Sequence, residues 1–167
     1  NSGNANACNP KEIENAELEA QCAADYLNMD VENVLVASTG VIGQVLPIEK
    51  IQDKVSDINL SSENNSNAAK AIMTTDTKEK TVAVEFKMGS VTCHMGGICK
   101  GSGMIHPNMG TMLAFITTDC KVEQNVLQSC LLDNTNKTFN RVSVDGDTST
   151  NDMCIVMANG MAQNEII

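Results

Sequence analysis

Met112-Leu113-Ala114-Phe115-Ile116 is an apolar run without alternation. Such a run reads as a buried strand, covered on both faces, because every side chain it projects is apolar. It follows directly on Lys100–Gly110, where Gly101, Gly103 and Pro107 break any regular pattern. Gly110 and Thr111 stand where this loop enters the strand, and Thr111 lies eleven residues after Lys100.

The rest of the chain supplies layers for such a strand. Asn9-Pro10-Lys11-Glu12 predicts a helix start, with Asn9 as cap, Pro10 at the first helical position and Glu12 three after the cap. Ile13, Ala16, Ala20, Ala23, Ala24 and Leu27 fall on one stripe, with Glu14 and Glu17 outside it. Val34–Ala37 predicts a short strand and Ser38-Thr39-Gly40-Val-Ile-Gly43 a turn. Residues 47–55 and 64–73 predict short helices, the second closed by Thr74–Thr77. Val82, Val84 and Phe86 have strand alternation. A glycine-rich segment follows, with Gly89, Gly96, Gly97, Gly101 and Gly103. Asp119 is a candidate cap for a helix whose face is Val122, Val126, Cys130 and Leu131. Arg141–Val144 and Cys154–Met157 predict strands around a polar loop, Asp145–Asp152. Helices and strands mix without strict alternation, which indicates an α/β or α+β layered fold. The 167 residues suit one domain or two small lobes.

Composition excludes several partners. Eleven basic against 21 acidic residues leave a net charge of −10, the wrong balance for binding phosphate backbones. Three Phe, one Tyr and no Trp provide no stacking platform for single strands. No run of eighteen apolar residues and no charged-then-apolar leader is present, so neither a membrane span nor a signal segment is expected. The seven cysteines are odd in number, irregular in spacing and free of CxxC pairs. They read as reduced core thiols of a cytosolic protein, with no metal site.

Most apparent motifs have plain readings. Gly96-Gly-Ile-Cys-Lys100-Gly-Ser-Gly103 fails the phosphate-loop pattern, since Gly follows Lys100, and no GxGxxG occurs. Asp145 and Asp147 begin like a calcium loop, but Ser149 and Val156 occupy the fifth and twelfth positions, which favours a polar turn. His94 and His106, the only histidines, form no arrangement with Ser and Asp. Thr111 has no neighbouring base. A threonine at a chain N-terminus carries its own, an α-amine with a reference pKa of about 7.7–8.0. That chemistry requires cleavage before Thr111. Gly110 leaves the carbonyl open to attack. On chemistry alone, Gly-Thr before a strand is also simply a junction.

NSGNANAC (1–8), VLVASTGVIG (34–43), AIMTTDT (71–77), KGSGMIHPNMGTML (100–113) and TFNRVSVDGDTSTND (138–152) together closely resemble glutamate N-acetyltransferase, also called ornithine acetyltransferase, an enzyme family of arginine biosynthesis. The motifs keep their order and span nearly the whole chain. The resemblance implies an ornithine acetyltransferase/aminopeptidase-like fold, with sheets sandwiched by helices, and an N-terminal-nucleophile enzyme that cuts itself at Gly110–Thr111. The α-chain portion would be residues 1–110, and the β chain would begin at Thr111. Thr111 would carry the acetyl group from N-acetylornithine to glutamate as an ester. Thr39 and Gly40 would form the oxyanion hole, and Thr74 (or Thr75) and Lys100 would bind substrate. No cofactor is implied, acetyl-CoA being a possible second co-substrate, and the family suggests a cytoplasmic dimer of αβ units. Gly110 stands where alanine is usual, and His106 where a small residue is more common. Family members extend past both ends, with a substrate-binding glutamate beyond Ile167, so the chain resembles an internal portion. Two other functions fit the residues: an amidase or aminopeptidase of the same self-cutting fold group, and an uncut, non-catalytic small-molecule-binding protein.

Overall fold

The computed structural model describes residues 3–103 and 112–167. The fold is mixed α/β. The chain forms two compact units that divide between Thr74 and Thr75. The Gly110–Thr111 bond thus lies within the sequence of the second unit.

The first unit is helical. Its main helix, α1, spans Glu12–Leu27. It begins later than Asn9 and Pro10 predict, with Lys11 at the cap position. Asn9 instead closes a turn ahead of the helix: its Oδ1 accepts from the Lys11 amide at 3.0 Å, and its carbonyl accepts from Glu12 at 3.3 Å. Glu12 reaches back to accept from the Cys8 amide at 2.6 Å. Within α1 the middle of the predicted stripe faces inward, with Ala24 buried and Ala16, Ala20 and Ala23 half-buried, whereas its two ends, Ile13 and Leu27, are exposed, and Asn15, outside the stripe, is buried. Asn15 is tolerated inside because its amide donates to the Leu46 carbonyl at 3.3 Å. Glu14 and Glu17 are exposed, as expected. Helix α2 spans Ile48–Gln52 and α3 spans Asn65–Ala71, near their predicted places. Val34–Ala37 joins no ladder, so it is extended chain and not a strand. A run becomes a strand only when neighbouring backbone takes up its amides and carbonyls.

The second unit is built on a four-stranded sheet in the order β1-β2-β3-β4. These strands are β1 (Lys80–Met88), β2 (Val91–Lys100), β3 (Leu113–Thr118) and β4 (Met153–Ala158). The first three are antiparallel neighbours, and β4 runs parallel to β3. The apolar run predicted to be a strand is β3, an interior strand whose Leu113 and Ala114 are buried. The glycine-rich segment is largely a strand too. Gly97 sits between Val82 and Ile116, and a β-carbon on it would stand 3.4 Å from Ile116 Cγ1 and 3.7 Å from Val82 Cγ1. Glycine there serves close packing between strands and not a turn.

Helix α4 spans Gln124–Lys137 with Glu123 at its cap position. Asp119 is not its cap. Its carboxylate is engaged by the His94 amide at 2.7 Å and the His94 ring at 2.8 Å. The inward row of α4 is Leu127, Leu131 and Thr135, at helical spacing, while Val126 and Cys130 face solvent. Of the predicted face, Leu131 is on the inward row, Val126 and Cys130 are not, and Val122 precedes the helix. Arg141–Val144 is no strand: Phe139–Arg141 is a 3-10 turn, and extended chain follows.

All seven cysteines are free thiols. Cys93 and Cys120 are buried, but Cys8 and Cys130 are exposed and so are not core residues. Among the described residues, no helix is long and apolar enough to cross a membrane.

Candidate active site

Gly110, Thr111 and His106 lie outside the described residues. The other predicted site residues fall in the two units, each with its own local architecture.

In the first unit the Ser38–Gln44 loop is held by the N-terminal segment. Asn4 and Val41 form a parallel bridge. Val41 donates to the Gly3 carbonyl at 2.9 Å, Ala5 donates to Val41 at 2.9 Å, and Gly43 donates to Ala7 at 3.0 Å. The Asn6 amide adds a bond to Ser38 Oγ at 2.8 Å. Small polar residues suit this place, because two backbones run side by side with little room for side chains. Thr39 is 5% exposed, and Gly40 has φ +134°, a conformation that L side chains rarely adopt. A buried threonine followed by a glycine on a doubly anchored loop gives fixed hydroxyl and N–H donors, the kind of groups that stabilise a developing oxyanion.

Thr74 is exposed and closes the first unit. Thr75 opens the second, and its Oγ1 shares a hydrogen bond with Ser102 Oγ at 2.6 Å.

Lys100 is 2% exposed, an unusual burial for a lysine. It is the last residue of β2 and pairs with Leu113, the first residue of β3, which in turn pairs with Met153 of β4. Register therefore brings the end of β2 to the point where residues 111 and 112 lead into β3. Burial pushes the Lys100 ammonium below its ordinary pKa, and the Asp76 carboxylate opposes that shift, with Asp152 a weaker contributor. Asp76 has a fully buried carboxylate that accepts from the Gly101 amide at 2.8 Å and pairs with Lys80. A cation kept out of water in this way suits an anionic group on a small ligand.

Asp152 stands at the same end of the sheet. Its Oδ1 accepts from the Met112 amide at 2.8 Å, and Met153 donates to the Met112 carbonyl at 2.9 Å. Burial raises the Asp152 pKa, opposed by the Met112 and Ser149 amides and by Lys100. Sequence reasoning singled out neither Asp76 nor Asp152, although both lie in the quoted motifs. An acid in a Thr/Asp-rich stretch resembles any turn acid until burial is known.

The remaining candidates follow their plain readings. His94 is exposed, with its ring on Asp119 and 3.9 Å from Glu85. Asp145 accepts from the Asp147 amide at 3.1 Å, as in a polar turn. Among the described residues, no group of three His, Cys, Asp or Glu side chains could hold a metal ion.

The ArgJ family model matches residues 1–166. The "Arginine biosynthesis bifunctional protein ArgJ" of Caldanaerobacter subterraneus is 52% identical over 170 residues, covering 100% of this chain and 42% of that protein. The "Glutamate N-acetyltransferase" of Methanocaldococcus jannaschii is 50% identical over 167 residues, covering 97% of this chain and 42% of that protein. A crystal structure of arginine biosynthesis bifunctional protein argJ from Bacillus halodurans superposes with a TM-score of 0.62 at 38% identity, over 66% of this chain and 59% of that one. This chain spans 42% of the length of the first of these relatives, so the match concerns a part of a longer sequence. Matched along nearly its whole length, the chain belongs to the ArgJ family.

Proposed function

We propose that this chain is the part of a glutamate N-acetyltransferase that carries its nucleophile. The protein cuts itself at Gly110–Thr111, which separates an α chain ending at Gly110 from a β chain beginning at Thr111. The Thr111 α-amine takes the proton of its own hydroxyl, and the hydroxyl oxygen attacks the acetyl carbonyl of N-acetylornithine. Ornithine leaves, and the acetyl group remains on Thr111 as an ester. The amine of glutamate then attacks that ester, giving N-acetylglutamate and restoring the hydroxyl. Thr39 and Gly40 stabilise the tetrahedral oxyanions of both steps. Lys100 binds a substrate carboxylate, and Thr74 contributes to substrate binding. No cofactor takes part. Acetyl-CoA is a second acetyl donor, in keeping with the word "bifunctional" in the relatives' names. The working assembly is a cytoplasmic dimer of αβ units.

The observation that carries this reading is the pairing of Lys100 with Leu113. It sets a buried cation at the strand end into which Thr111 leads. Sequence identity with the Methanocaldococcus protein supports the choice of acetyl transfer.

The test uses the full-length protein. Intact mass should show two chains, the second starting at Thr111. Thr111→Ala should stay whole, and Thr111→Ser should still be cut. N-acetylornithine and glutamate should yield N-acetylglutamate and ornithine. Release of free acetate alone would identify a hydrolase, and an uncut chain without turnover would identify a binding protein.

A further inference from the structure

The Asp76 carboxylate is fully buried. Taking a charge out of water is costly, so a buried carboxylate calls for an explanation. Its Oδ1 pairs with the Lys80 ammonium and accepts from the Gly101 amide at 2.8 Å. Lys80 is the first residue of β1 and lies opposite Cys99, while Gly101 directly follows Lys100, the last residue of β2. The carboxylate thus ties the start of β1 to the exit of β2. Neither contact by itself requires a charge on Asp76. An asparagine oxygen would accept from Gly101 as well. The Lys80 side chain is half-exposed, and water solvates such an ammonium without a buried partner. What only an aspartate adds here is negative charge next to Lys100, which is 2% exposed.

We propose that Asp76 is a positioning residue for Lys100: it fixes the backbone just past Lys100 through the Gly101 amide, and its charge lets the Lys100 ammonium stay buried to meet a carboxylate of the substrate. The inference rests on the function proposed above, in which Lys100 binds that carboxylate. Because Lys80 shares Asp76, the carboxylate does not cancel the Lys100 charge outright, and an incoming anion still meets a positive field. The titratable groups around Lys100 are Asp76 and Lys80 from the segment entering β1, Cys99 on β2 and Asp152 ahead of β4. Of these, Asp76 weighs most and favours the ammonium, whereas Lys80 disfavours it.

Two substitutions separate the two roles. Asp76→Asn keeps an oxygen for Gly101 and removes the charge, so Lys100 should lose its proton at lower pH than in wild type. Asp76→Leu removes both.

The experiment compares full-length wild type, Asp76→Asn, Asp76→Leu, Lys100→Met and the double variant Asp76→Asn/Lys100→Met. Asp76→Asn should raise KM about tenfold with kcat within about twofold, and Asp76→Leu should raise KM further. In the Lys100→Met background Asp76→Asn should change KM by less than about twofold, because the residue it acts through is gone. In protein labelled with 13C at the lysine ε-carbons, the Lys100 resonance, identified by its loss in Lys100→Met, should titrate at lower pH in Asp76→Asn. A lower kcat with unchanged KM, an equal KM effect in both backgrounds, or an unmoved Lys100 titration would overturn the assignment. Should the Asp76 variants not fold, Lys80→Met decides: with Asp76 unshared, the Lys100 resonance should titrate at higher pH, and a titration unchanged or lowered overturns the proposal. Wild type that transfers no acetyl group would sink the proposed function alone, since the Lys100 titration still decides the role of Asp76.

Discussion

Gly40 lies against the backbone of Gly3 so closely that a β-carbon on it would stand 2.8 Å from the Asn4 nitrogen and closer still to the Gly3 carbonyl. Real β-carbons essentially never come within 3.0 Å of such atoms. The approach arises because Val41 donates to that same carbonyl, which draws the two segments together next to Gly40. The Thr39–Gly40 pair therefore owes its position to a segment that precedes it by more than thirty residues.

Gly40→Ala should consequently destabilise the protein by about 1–3 kcal/mol or more, since both its φ and its contacts are wrong for a side chain. Gly43→Ala offers the control. It also has positive φ, at +84°, but its nearest neighbour would be the Cys8 carbonyl oxygen at 4.0 Å. It should cost only the left-handed penalty, about 1–2 kcal/mol. Thermal unfolding of the two variants should place Gly40→Ala below Gly43→Ala.

Thr39→Ala tests the donor role. Loss of one oxyanion donor should lower kcat by about 10²–10³, equivalent to about 2.7–4 kcal/mol, with KM nearly unchanged. Steady-state kinetics would disprove the role if KM alone changed.

The sheet glycines should separate in the same manner. Gly97→Val should cost about 1–3 kcal/mol through overpacking, because its β-carbon already meets Ile116 and the Phe115 carbonyl at 3.4 and 3.5 Å. Gly96→Ala meets only the Val82 carbonyl, at 3.8 Å, and should be close to neutral. Urea unfolding of both variants checks this.

Lys100 supplies the pH dependence. Burial lowers its pKa, with Asp76 opposing, so the ammonium is lost at lower pH than an ordinary lysine loses it. Substrate KM should therefore rise on the alkaline side earlier than ordinary lysine titration predicts. Asp76→Asn should bring that rise to still lower pH, because the opposing carboxylate is gone. For stability the sign is opposite. Between the folded and unfolded pKa values the unfolded chain binds more protons, so the Lys100 contribution to stability increases with pH across that window. Lys100→Met should abolish both trends. A pH series of KM and of thermal midpoints would reveal them.

Local chemistry was enough to determine much of this protein. Strand β3 was legible because an unbroken apolar run has few other places to go, and α1 because its turn and carboxylate signals lie close together in sequence. Lys100, Thr39 and Gly40 were legible only through motif resemblance. What tertiary structure decided was everything that depends on a distant partner. Val34–Ala37 is apolar enough for a strand but lacks a ladder. Asp119 could have capped a helix, but the His94 amide and ring engage it. Gly96 and Gly97 carry no strand signal of their own in the glycine-rich segment, and it is two neighbouring strands that close around them. The same holds for Asp76 and Asp152: an aspartate's identity is local, but its burial and its hydrogen bonds are set by residues far along the chain. Propensity acts over a few residues, whereas pairing and desolvation are settled only when β2, β3 and β4 come into register.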